Sequence, residues 1–159
     1  MNSSPSPESA TVHATCILIG EAGLLIRGES GSGKSAAALA MLDAAAESGL
    51  FAALVADDRV FLSQRSGRIV ARAPEAIAGL IEVRGLGIVR LPHEPAAVVR
   101  LVVDLAPVES LPRLPGAQER QTELLGIVLP RLAAAADASL FTRVRLALAA
   151  DNGLDSSAA

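Results

Sequence analysis

The sequence predicts an α/β fold built on a mixed central sheet. Three observations carry that prediction. Short apolar runs suited to strands recur at residues 12–19, 24–27, 53–56, 80–83 and 98–105. Residues 35–48 are dense in Ala and Leu, the best helix formers, and stop at Gly49. Between the run at 24–27 and that helix lies a glycine-rich loop.

Taken in order, residues 12–19 read as a strand closed by the turn Gly20-Glu21-Ala22-Gly23. Residues 24–27 are short and apolar and fit a strand entering a core. In the helix at 35–48, Leu39 and Leu42 fall one turn apart and mark its apolar stripe. Residues 53–56 form a buried strand that ends at Asp57-Asp58. Residues 60–64 and 68–71 flank Ser66-Gly67, the signature of a hairpin. Residues 80–83 and 98–105 are further strands, 132–138 is an Ala-rich compositional bias, and 140–150 is a helix. The middle of the chain thus reads as alternating strand and helix. The 159 residues are expected to make one domain, 11–150, between tails at 1–10 and 151–159.

Composition narrows the function. With 14 basic and 17 acidic residues the net charge is −3, which offers no general attraction to nucleic acid or an anionic membrane. Aromatics are 2% of the chain, so platforms for stacking nucleic-acid bases are not expected. No apolar run approaches the roughly 20 residues of a membrane helix. The Ser/Pro-rich start has no basic or apolar block of a signal peptide. A soluble cytoplasmic protein is the expectation. Cys16 stands alone in an apolar run and reads as a buried filler, and no Cys or His spacing suits a structural zinc site.

The loop Gly28-Glu29-Ser30-Gly31-Ser32-Gly33-Lys34-Ser35 fits G-x-x-x-x-G-K-[ST] at every required position. Its glycines let successive N–H groups turn inward onto phosphate oxygens, and the following helix adds unpaired N–H groups and its dipole. Lys34 suits the β and γ phosphates and Ser35 suits Mg2+. A strand before and a helix after supply the required context. The motif predicts a held polyphosphate without choosing between kinase, ATPase and switch.

Asp57-Asp58 at a strand end offers one carboxylate for a metal and one to take a proton from a hydroxyl, against the alternative of a solvated turn. Glu82 and Arg84, between apolar residues and before Gly85-Leu86-Gly87, make a poor core strand. Burying them unpaired is costly, so they read either as site residues or as an exposed edge. His13, by itself, reads as a strand-start residue.

Together these blocks resemble the catalytic domain of the HPr kinase/phosphorylase family. They are Val12-His13-Ala14, the loop 28–35, Leu54-Val55-Ala56-Asp57-Asp58-Arg59-Val60, and Ile81-Glu82-Val83-Arg84-Gly85-Leu86-Gly87-Ile88. The resemblance covers about residues 12–132. It implies a single P-loop domain of the HPr kinase / PEP carboxykinase-like type. It implies an ATP- and Mg2+-dependent serine kinase acting on the phosphocarrier HPr or a similar carrier, and a homohexamer. Carried over residue by residue, it places His13 near the transferred phosphate and Lys34 in the phosphate loop. Ser35 and Glu82 become Mg2+ ligands, and Asp58 the general base with Asp57 its neighbour. Arg113, in Leu111-Pro112-Arg113-Leu114, becomes an active-site arginine, and Arg84, Gly85, Leu86 and Gly87 form the signature loop. The family's usual chain is about twice as long, so this looks like a short alphaproteobacterial form without the N-terminal domain. The Ala-rich run after Leu132 stands where the family has a Pro/Arg/Gly-rich segment linked to the phosphorylase reaction, which leaves that reverse reaction and the docking of HPr itself open. The alternative is an ATP-binding module that regulates a partner without phosphorylating it, and a third possibility is a kinase for a small metabolite.

Overall fold

The computed structural model describes residues 8–153. Its strands are β1 Ser9–His13, β2 Thr15–Ile19, β3 Ala22–Arg27, β4 Ala52–Ala56, β5 Arg59–Arg65, β6 Arg68–Arg72, β7 Leu80–Val83, β8 Gly87–Arg90, β9 Ala97–Leu105, β10 Gln121–Leu124 and β11 Ile127–Ala134. Its α-helices are α1 Lys34–Glu47 and α2 Leu140–Gly153. One nine-stranded mixed sheet carries the order β1-β5-β6-β9-β3-β2-β4, with β11 also on β9 and β10 on β11. Strands β7 and β8 form a separate hairpin.

The long strand β9 explains the branching. It pairs with β3 along its length; its first residues also meet β6 and its last residues meet β11. Strands β3, β9 and β11 are mutually parallel, and β2 is antiparallel to both β3 and β4. The carboxyl ends of β3, β4, β9 and β11 therefore lie along one edge, where ligands of such sheets bind.

Side chains alternate between two cores. Ile17, Leu24, Ile26, Leu101 and Val103 face α1 and α2. Cys16, Leu25, Val55 and Val102 face the other way, under Val60, Leu62, Ile69 and Ala71 of the β5–β6 hairpin. Each fully buried Leu, Ile or Val contributes about 1.5–3 kcal/mol relative to exposure. Burial pushes the Cys16 thiol up to about 12, so it is an inert filler as expected.

Several expectations change. Residues 12–19 are two strands, split at the fully buried Ala14, because β1 pairs with β5 while β2 pairs with β3 and β4. Strand β1 takes in Ser9 and Ala10 of the expected tail, and α2 continues past Ala150 to Gly153; tail residues 1–7 and 154–159 lie outside the described ones. The inner face of α1 is Ala37, Ala38, Met41 and Ala45, with Leu39 and Leu42 packed at its margin. The Ala-rich run after Leu132 belongs partly to β11, since pairing with β9 overrides the low strand preference of Ala. Strand and helix do not alternate: both α-helices share one face, and most connections are strand to strand. The predicted β5–β6 hairpin is present, and Ser66 and Gly67 both take positive φ, 52° and 76°, as a tight hairpin turn requires.

Candidate active site

Arg27 ends β3, the loop occupies residues 28–33, and α1 starts at Lys34. Gly31 and Gly33 have φ of 82° and 90°, a backbone that side chains resist, and this curl turns the loop into the helix. Ser32 N–H donates to Glu29 C=O at 2.9 Å. Lys34 is 8% exposed, and its Nζ donates to the carbonyls of Gly28 and Glu29 at 2.9 and 3.2 Å. Ser32 Oγ is buried and has no hydrogen-bond partner. A cleft of about 650 Å³ opens in front of the loop.

Asp57 and Asp58 diverge at the end of β4. Asp58 has φ 70°, and Arg59 N–H donates back to Asp57 C=O at 2.8 Å, so the chain reverses in three residues. This tight reversal sends the two carboxylates to different places. Asp57 is buried. Its Oδ1 accepts from Thr15 Oγ1 and Ser35 Oγ, each at 2.8 Å, and its Oδ2 accepts from Glu82 N–H at 3.3 Å. One carboxylate thereby ties β2, the first turn of α1 and β7 to β4. Asp58 stays in the open cleft, where its Oδ1 meets His13 Nε2 at 2.8 Å. A contact this exposed contributes little to stability.

Glu82 lines the cleft opposite. Strand β7 packs Ile81 into the helix-side core and turns Glu82 outward by simple alternation. Glu82 and Arg84 are both exposed, so neither bears the cost of unpaired burial. Gly85 and Gly87, at φ 85° and 106°, shape the turn to β8, and with Arg84 they line the cleft mouth.

His13, Ser30, Gly31, Gly33, Lys34, Ser35, Asp57, Asp58, Glu82, Arg84, Gly85 and Gly87 all line this cleft. Others behave differently. Gly28 and Glu29 are not among the lining residues and give their carbonyls to Lys34, and Ser32 Oγ sits where a side chain at position 28 would begin. Leu86 points to solvent at 74% exposure. Arg113 is exposed and is not among the residues that line the cleft. Thr15 was missed. A hydroxyl inside an apolar strand needs a partner, and that was its signal.

Among the described residues, no three His, Cys, Asp or Glu side chains converge as a metal cluster. The donors present, the Ser35 hydroxyl beside the Asp57 carboxylate with Glu82 across the cleft, suit a hard cation that brings most of its ligands as water and phosphate. The unpartnered Ser32 hydroxyl and the enclosed Lys34 ammonium suit a phosphate chain in the loop.

Fold and cleft define a class: a mixed α/β protein whose glycine-rich strand–loop–helix faces acidic side chains from neighbouring strands. The family is narrower. Residues 6–135 match the model of the HPr serine kinase C-terminal domain, and the chain belongs to that family. It is 36% identical over 146 residues to the HPr kinase/phosphorylase of Geobacillus thermodenitrificans, covering 83% of this chain and 44% of the relative. It is 37% identical over 87 residues to that of Clostridium tetani, covering 55% and 26%. The chain thus spans less than half the length of these curated relatives. The structure of the HPr(Ser) kinase/phosphatase from Coxiella burnetii superposes with a TM-score of 0.77 at 28% identity, over 93% of this chain and 96% of that one.

Proposed function

We propose that this chain is an ATP- and Mg2+-dependent protein serine kinase acting on HPr or a similar carrier protein. The observation that carries the proposal is the divergence of two adjacent carboxylates. Asp57 is bound to the Ser35 hydroxyl at the loop, while Asp58 stands free in the cleft with His13. When bound, the nucleotide supplies the phosphoryl group and the metal ion neutralises charge between its phosphates. The loop N–H groups and Lys34 orient the phosphate chain. Asp57 keeps the Ser35 hydroxyl turned toward the metal position, and Glu82 completes the acidic side of the cleft. Asp58 holds the acceptor serine and takes its hydroxyl proton on Oδ2, while His13 fixes Oδ1. Positioning and electrostatics supply the rate, without a covalent intermediate.

The relatives' names support the acceptor: each is called an HPr kinase/phosphorylase. The test is transfer of label from γ-labelled ATP to a serine of purified HPr. Labelled phosphoserine is the expected product. Tight ATP binding with transfer neither to HPr nor to another carrier protein of its kind refutes the kinase and selects a regulatory nucleotide-binding module.

A further inference from the structure

A second hollow, about 220 Å³, lies between α1 and the connection from β11 to α2. Ala36, Ala40, Met41, Leu140 and Phe141 make it apolar, and Asp137 is its one charged group. Ala36 lines both this hollow and the cleft in front of the glycine-rich loop, so the two adjoin at the first turn of α1.

The sheet order gives this adjacency a direction. Strand β4, with Asp57 and Asp58 at its end, is two strands from β3 on one side; β11, which leads to Asp137, is two strands away on the other. At about 4.8 Å per strand, each flank is roughly 10 Å from the phosphate loop. Phosphoryl transfer places the attacking and leaving oxygens roughly in line. With the acceptor at Asp58, the rest of the nucleotide must leave the loop on the opposite flank, along Ala36.

Resting on the nucleotide-binding function proposed above, we infer that this hollow is the subsite for the nucleotide base and that it selects adenine. Apolar walls of this kind take a flat heterocycle, and Phe141 adds an aromatic side chain. Asp137 Oδ1 is engaged by Ser139 Oγ–H at 2.6 Å and Ser139 N–H at 2.9 Å. Those hydrogen bonds, the hydroxyl's first, hold the Asp137 carboxyl below its usual range. Its Oδ2 remains an acceptor, which suits the exocyclic amine of adenine. A carbonyl at that ring position is repelled, and none of the lining side chains can donate to it.

The test measures dissociation constants of the Mg2+ complexes of ATP, ITP and inorganic tripolyphosphate. Ala40 is exposed on α1, so Ala40→Leu fills the hollow from a site the helix tolerates. The expected result is a loss of ATP affinity of about tenfold or more with tripolyphosphate unchanged. Asp137→Asn keeps an acceptor for Ser139 and offers an amide donor in place of Oδ2, so the preference of the unmodified protein for ATP over ITP should vanish or invert. Equal effects of Ala40→Leu on ATP and tripolyphosphate, no effect on either, or an unchanged ATP/ITP ratio in Asp137→Asn overturns the base subsite. Failure of the unmodified protein to bind tripolyphosphate or ATP overturns the phosphate-loop function itself, and the subsite with it.

Discussion

Thr15→Val tests how the acidic centre is held. Thr15 is fully buried, Asp57 is 6% exposed, and their hydrogen bond is 2.8 Å long. Valine keeps the shape of threonine and removes the donor. A hydrogen bond to a charged group contributes about 1.5–3 kcal/mol, and water cannot readily replace this one. For a domain of this size, that loss lowers the melting temperature by about 3–12 °C. Ser35 donates to the same carboxylate oxygen, so Ser35→Ala and Thr15→Val should not be additive. The double variant leaves Asp57 only the Glu82 N–H, and a coupling of at least about 0.5 kcal/mol is expected. Urea unfolding of the single and double variants measures both quantities. A Thr15→Val loss below about 0.5 kcal/mol, the range of an ordinary surface substitution, refutes the claim that Asp57 is a load shared among these elements.

Three further predictions concern charge. Lys34→Ala should abolish binding of ATP and tripolyphosphate together, read by calorimetry; unchanged affinity contradicts the loop assignment. Asp58→Asn should preserve ATP affinity and cut phosphoryl transfer by about 10²-fold or more, the range for a general base, in the labelling assay; near-normal transfer removes Asp58 from that role. Asp104 is partly buried, which raises its pKa, but hydrogen bonds from Arg27 and Arg131 outweigh this and hold it below its ordinary 3.8. Because the folded carboxyl is the stronger acid, its contribution is present above the unfolded pKa and is lost as pH falls through the folded one. The stability gap between the unmodified protein and Asp104→Asn should therefore narrow as the pH drops below about 4, followed by denaturant unfolding at each pH; a gap that widens in acid refutes the assignment.

Local chemistry was legible wherever it depends on neighbours in the chain. The phosphate loop, the helix after it and the Ser66-Gly67 hairpin each rest on backbone rules that act over a few residues. The hairpin at Leu125-Gly126 was not legible, although φ is 49° and 82° there, because leucine resists that conformation and only pairing of β10 with β11 holds it. Strand β11 was hidden because Pro130 interrupts its apolar start, its end runs into the Ala-rich stretch, and its partner β9 lies far away in sequence.

By itself, the sequence determined that a glycine-rich loop stands between a strand and a helix, and which acidic and histidine side chains are candidates to lie near it. Those are properties of residue type and short spacing. Only the tertiary structure decided that Asp57 turns inward to Thr15 and Ser35 while Asp58 turns outward to His13. It alone set the two flanks of the loop apart, with the carboxylates on one side and the apolar hollow on the other. The physical reason is that strand order and the burial of a carboxylate are settled by contacts between residues tens of positions apart, and no local preference encodes them.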